Sequence, residues 1–218
     1  MEDKVPSSDS SARDLTPENR PLMPGRLYRL GTCLLLCVGL ANCSSSSPQL
    51  PPVEPLSQPM PDGKRWTIAN LNAEIPASYC YNDEPANCGR YGRLYTWEAA
   101  QKVCGTLGPA WRLPSMEDWK KLAQIYGGLF EDGPDNGKVA YRELLAGGRS
   151  GLEMLLGGGR EDHEYARLEA HGFYWSASEE SPTNARYLNF GKGSRAVYDQ
   201  HGGKKTDAHS VRCVADGR

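Results

Sequence analysis

Between Cys80 and Cys104 the chain reads CYNDEPANCGRYGRLYTWEAAQKVC, which puts three cysteines within twenty-five residues. A fourth, Cys213, stands near the C-terminus, and Cys33, Cys37 and Cys43 precede the rest. Whether these thiols hold a metal, do chemistry or cross-link the backbone decides what can fold here. A disulfide fixes non-local contacts and stands in for core that a loop-rich chain lacks.

The start of the chain bears on the redox question. Residues 1–22 are polar and rich in Pro and Ser, and read as disordered or as lying upstream of a true start at Met23. Arg26 and Arg29 then precede an apolar run from Leu30 to Leu40. That run falls short of the roughly 20 apolar residues that span a bilayer, and its basic start fits a secretory signal over residues 23–42. The signal ends in Leu40-Ala41-Asn42-Cys43, followed by four serines, and resembles the lipobox of bacterial lipoproteins, with Asn42 where a smaller residue is usual. The resemblance implies acylation of Cys43 by palmitate-type chains, a membrane partner through that anchor, and an outer-membrane lipoprotein on its periplasmic or cell-surface face. Two or more chains hold firmly, at about 0.8 kcal/mol per buried methylene. Residues 43–63, Ser- and Pro-rich, are expected to be an extended tether, which leaves 64–216 as the folded domain.

Within that domain the charges balance. From Lys64 to Arg218 there are twenty Lys/Arg and twenty Asp/Glu, with no basic stripe, so a nucleic-acid partner is excluded. The 24 Gly and 16 Pro argue for a loop-rich fold and against a helical bundle. RWTIANLN (65–72) reads as a strand. In WEAAQKVC, Trp97, Ala100, Cys104 and Leu107 recur at helical spacing after Thr96. Ser115 caps a second helix, with Trp119, Leu122, Ala123 and Tyr126 on one face and Gly127 at its end. A third helix is expected over 138–146. Beyond it HGFYWSAS, ARYLNF, RAVYDQ and HSVRCV are strand-like runs between turn residues. The expectation is an α+β domain with two or three short helices and a small antiparallel sheet.

Cys33 and Cys37 fall in the signal and Cys43 at its end, leaving Cys80, Cys88, Cys104 and Cys213, an even set in an exported chain. Three pairings are open. The chain favours Cys80–Cys88 across the NDEPAN turn and Cys104–Cys213 between the first helix and the last strand. Loop entropy assigns about 2–3 kcal/mol to the short link and about 4–5 kcal/mol to the long one. Zinc would call for short Cys-x₂₋₄-Cys pairs, which Cys80, Cys88, Cys104 and Cys213 do not form.

WTIANLN, SYCYNDEPANCGRYGRLYTWEAAQKVC, WRLPSMEDWKKL, FYWSAS and SVRCV follow in the order seen in the Fibrobacter succinogenes major paralogous domain, which this chain resembles over nearly all of 64–215. SGLEMLLGGGR (150–160) and CGTLGPAW (104–111) depart from that family's pattern. The family occurs mainly in exported lipoproteins. More distantly, the helix carrying WEAAQKVC, the Trp-Ser strand and a final cysteine look like a C-type lectin-like fold, which the formylglycine-generating enzymes broadly share. That analogy alone assigns no activity.

The chemistry-bearing residues are then weighed singly. Formylglycine-generating chemistry needs a close C-terminal cysteine pair, and here Cys213 is alone; a Cys–His arrangement would have to use His209. Ser150 in GGRSGL lacks the G-x-S-x-G context. Asp83 with Glu84, and Asp132 and Asp135 with Asn136, are oxygen donors of the kind calcium takes, but solvated turns explain them as well. Asn184 and Asn189 stand in no lectin-type string. Trp97, Trp119 and Trp175 are expected in the core, whereas Tyr79, Tyr81 and Tyr91, near the short cysteine loop, are expected to face outward. The reading is therefore a non-enzymatic binding or adhesion domain for a glycan or an envelope protein, with no cofactor apart from a calcium option. Its candidate ligand residues are Tyr79, Tyr81, Asp83, Glu84 and Tyr91. A cryptic relative of the formylglycine-generating enzymes and a purely structural envelope protein are the alternatives.

Overall fold

The computed structural model describes residues 55–217. The expected signal, Cys43 and the tether up to residue 54 lie outside the described residues. The chain enters as a hairpin, with β1 (Ser57–Pro59) antiparallel to β2 (Lys64–Thr67). Its turn is Pro61-Asp62-Gly63: Gly63 takes φ 81, Asp62 Oδ1 accepts the Lys64 N–H at 3.0 Å, and Asp62 Oδ2 accepts the Trp66 indole at 2.9 Å. Met60, between the strands, is buried in the main core. Residues 57–63, expected as the end of the tether, instead pair and pack with the domain.

Next come β3 (Ser78–Tyr79), a 3₁₀ turn (Tyr81–Asp83), α1 (Pro85–Tyr91), β4 (Leu94–Thr96), α2 (Trp97–Val103) and a second 3₁₀ turn (Cys104–Leu107). Pro opens α1 at a position where its missing N–H costs nothing. The 3₁₀ turn after α2 ends at Gly108, φ 122. α3 (Met116–Ile125) opens with a complete capping box: Ser115 Oγ accepts the Asp118 N–H at 3.1 Å, and Asp118 Oδ2 accepts the Ser115 N–H at 2.8 Å. Its inner face buries Met116, Trp119, Leu122 and Ala123. α4 (Lys138–Leu144) stops two residues before the expected Ala146.

The remaining strands are β5 (Gly159–Glu161), β6 (Glu164–Ala166), β7 (His171–Glu179), β8 (Asn184–Gly191), β9 (Ala196–Lys204), β10 (Ala208–His209) and β11 (Val214–Asp216). They form three sheets with antiparallel pairing throughout, ordered β1-β2-β11, β3-β4-β10-β5-β6 and β7-β8-β9. The α+β class holds, with four α-helices among the described residues instead of two or three. Trp66 and Trp119 meet at 4.6 Å between ring centres in the main core, with Tyr174, Leu188 and Phe190. Trp175, Tyr95 and Val103 form a second cluster around the Cys104–Cys213 disulfide, whose sulfurs are wholly buried. Trp97 is only partly buried, its indole donating to the Ser176 carbonyl at 2.8 Å.

Two expected strands are shorter than the sequence suggests, for one reason. RWTIANLN pairs as a strand only to Thr67, and HSVRCV breaks between His209 and Val214. The broken stretches face each other: Thr67 N donates to Cys213 O and Leu71 N to Val211 O, both at 3.0 Å. Between them Arg212 turns inward with no exposed surface. Its Nε donates to Asn70 Oδ1 at 2.6 Å. Nη1 donates to the carbonyls of Thr67 (2.8 Å) and Leu152 (2.7 Å), and Nη2 to that of Glu153 at 2.5 Å.

Replacing Arg212 with Met is expected to leave those acceptors buried and unpaired. At about 1–3 kcal/mol per unsatisfied group, the loss should exceed about 3 kcal/mol, read as a lower denaturant midpoint at unchanged slope. Asp118 gives a pH signature. Burial pushes its carboxyl up, but hydrogen bonds from Arg112 and Ser115 outweigh this and bring it down to about 2, from 3.8. A depressed carboxyl stabilises the fold above its unfolded value and loses that contribution as pH falls through about 2. The stability gap between the parent and Asp118→Asn should be on the order of 1–2 kcal/mol near neutrality and close toward pH 2.

Candidate functional site

The Cys80–Cys88 disulfide ties the strained 3₁₀ turn to α1, with Cα atoms 4.9 Å apart. Asn82 and Asp83 both take φ 56 there, a left-handed conformation that Asn and Asp tolerate best. Gly92, φ 78, then turns the chain back; a Cβ on it would come within 2.6 Å of Asn70 Cβ, so only glycine fits. That turn carries Arg93 under the disulfide. Its side chain is nearly buried: Nη1 lies 3.3 Å from Cys80 Sγ and 3.4 Å from Cys88 Sγ, Nε donates to Ser78 Oγ at 3.3 Å, and Nη2 pairs with Glu74 at 2.9 Å.

Above Arg93 lies a recess of about 480 Å³, lined also by Asn72, Glu74, Ser78, Tyr79 and Asp83. Tyr79 joins it to a stack of rings and a cation. The Arg160 guanidinium sits 4.3 Å from the Tyr79 ring centre and 5.6 Å from that of Tyr165. Tyr165 packs on Tyr81 at 5.3 Å and donates its hydroxyl to Asp83 Oδ1 at 2.5 Å. Burial, then the Asp83 carboxylate, push the Tyr165 phenol up to about 12. The arrangement offers planar donors and acceptors beside an aromatic edge, on a scaffold held by a covalent clip.

Of the five expected ligand residues, Tyr79 and Asp83 line this recess, and Glu84 is exposed beside it at the start of α1. Tyr81 and Tyr91 do not face outward as expected. Both are buried, at 8 % and 7 % exposure. Tyr81 packs with Leu94 and Ala208, while the Tyr91 hydroxyl donates to Glu169 at 2.6 Å. The polar sequence around them concealed two rings that cover core edges. Glu74, Asn72 and Arg93 were missed. Arg93 had one visible signal, the Gly92-Arg93 step five residues past a cysteine, whereas Asn72 and Glu74 lie in an unpatterned loop.

The other candidates disperse. Asp135 accepts the backbone N–H groups of Gly137 (3.1 Å) and Val139 (2.7 Å), and Asp132 lies 3.7 Å from Lys120. Among the described residues no three His, Cys, Asp or Glu converge as metal ligands. Asn189 contacts the His171 ring at 2.8 Å, and Asn184 lies at the far end of the same strand. His209 is wedged between Trp175, Tyr187 and Phe173, and burial holds it neutral at about 3. All four cysteines of the described residues are in disulfides, with the two expected pairings.

Residues 55–215 match the family model described as Fibrobacter succinogenes major domain. No curated protein matches the chain.

Exposure separates the two disulfides. Cys80 is half-buried in the recess wall, whereas Cys104 and Cys213 are wholly buried. Limited reduction of the native protein followed by alkylation is expected to label Cys80 and Cys88 well before the other pair, since attack needs access. Simultaneous labelling in peptide maps would mean that both open only on global unfolding.

Proposed function

The chain belongs to the Fibrobacter succinogenes major domain family, and from that premise we propose a non-catalytic recognition module of the cell envelope that binds a neutral glycan beside the Cys80–Cys88 clip. The lining of the recess carries this reading. Arg93, Glu74, Asp83, Asn72 and Ser78 mix donors and acceptors, with one cation against two carboxylates. Such a surface holds no attraction for an anion but suits adjacent hydroxyls, which donate and accept at once. Tyr79 supplies an aromatic wall for the apolar face of a ring.

Two disulfides favour an oxidising compartment, in keeping with an exported, lipid-anchored chain acylated at Cys43. The long link from the end of α2 to the last strand, with the Trp175-Ser176 strand packed between, supports a C-type lectin-like arrangement. The absence of catalysis is inferred from Cys213: the cysteine that thiol chemistry of the formylglycine-generating type would use is bonded to Cys104.

A glycan array probed with the full exported chain tests this. Neutral glycans should be retained, with binding indifferent to chelator. Glu74→Gln should weaken a hit by about tenfold, the size of one charge-assisted hydrogen bond, and Tyr79→Ala should abolish it. Silence across neutral glycans, or a hit unmoved by both substitutions, would remove the reading. Loss of binding in chelator would return calcium to Asp83 and Glu84.

A further inference from the structure

A second and larger recess, about 680 Å³, opens between α4, the loop 145–149 and the β8–β9 turn. Lys138, Tyr141, Arg142 and Leu145 recur at i, i+3, i+4 and i+7 along α4 and its C-terminal cap and line one side. Arg149 comes from the loop and Arg195 from the β8–β9 turn. Four cations thus face one carboxylate, Glu143, on a chain whose formal charge is −2.

The pairing is uneven. Glu143 is nearly buried; its Oε1 accepts from Arg142 Nε at 2.9 Å and its Oε2 from Arg149 Nε at 2.8 Å. Hydrogen bonds from Arg149 and Arg142 hold this carboxyl at about 2, so it stays charged across the working pH range. Both arginine side chains are otherwise exposed, at 65 % and 85 %. Among the described residues, Lys138 and Arg195 take part in no ion pair. Tyr141, leaning on Phe190, supplies an apolar wall with Leu145 and Ala146.

We propose that this recess binds an acidic oligosaccharide, its sugar bodies against Tyr141 and Leu145 and its carboxylates on Lys138, Arg195 and the outer edges of Arg142 and Arg149. The cations come from three separate elements around the mouth, which matches charges spaced along a chain. A compact dianion such as phosphate needs donors that converge on one point. Guanidinium forks pair with carboxylates in two parallel hydrogen bonds, and Glu143 pre-orders two of those forks while competing for them. The site shares no residue with the Cys80–Cys88 recess, so it stands or falls separately from the neutral-glycan reading.

Calorimetric titration of the full chain with trigalacturonate, a neutral galactose trisaccharide and inorganic phosphate tests the proposal. Trigalacturonate should bind, more weakly as salt rises, and the other two should not. The double substitution Lys138→Ser/Arg195→Ser touches no ion pair of the described fold and should weaken binding about tenfold or more. Glu143→Gln, which removes the competing charge at constant shape, should bind at least as tightly as the parent. No uronate binding, equal binding of phosphate or the neutral sugar, or indifference to the double substitution would overturn the site. Weaker binding by Glu143→Gln would overturn the competitor role.

Discussion

A guanidinium with no carboxylate to meet it holds this domain together. Arg212 spends its donors on Asn70 and on the carbonyls of Thr67, Leu152 and Glu153, so one side chain joins the segment after β2, the loop before β5 and the last strand. An isolated buried charge is among the most expensive groups to desolvate, and only a full set of acceptors offsets that cost. Three of those acceptors are backbone carbonyls and one is the Asn70 side-chain amide, and Thr67 and Asn70 both lie in the interrupted 65–72 stretch. The broken strands, the inward Arg and the neighbouring Cys104–Cys213 disulfide are one solution to one local problem. Asn70 shows the same economy: its side chain accepts from Arg212 and donates to the Tyr91 carbonyl, which links the core knot to the turn that carries Arg93.

Much of this was readable from the chain. The N-cap at Ser115, the apolar face of α3 and the three strands of the β7-β8-β9 sheet follow from short-range rules, and both disulfides are the pairings that the chain favours among the three open. What escaped was set by long-range contact. Met60-Pro61-Asp62-Gly63 is a good turn signal, but its Pro-rich surroundings made it read as tether; only the pairing of β1 with β2 draws it into the fold. Tyr81 and Tyr91 sit in polar sequence, and their burial depends on Tyr165 and Glu169, more than seventy residues away. Both recesses combine residues from distant segments, Arg93 with Asn72 in one and Lys138 with Arg195 in the other. No local pattern announces such meetings.

The two recesses divide the chemistry between them. One has a floor cation tied to sulfur, hydroxyl and carboxylate, and two carboxylates face that cation. The other keeps an excess of positive charge at an open rim, with its one carboxylate already taken. Neither is lined by His209 or Arg212, buried groups whose protonation burial disfavours and which serve packing.

The position of β1 has a mechanical meaning. It is a three-residue edge strand bonded on one side only, to β2. Tension entering from the N-terminal side meets this strand first and peels it bond by bond, the geometry of least resistance. Beyond it, β2 is flanked by β11, and β11 follows directly on Cys213. The 109-residue span between Cys104 and Cys213 is covalently closed, so on the order of 350 Å of contour length is withheld from any stretch. A pulled domain would yield slack from its entrance and from residues before Cys104, while every residue lining the second recess lies inside the closed span.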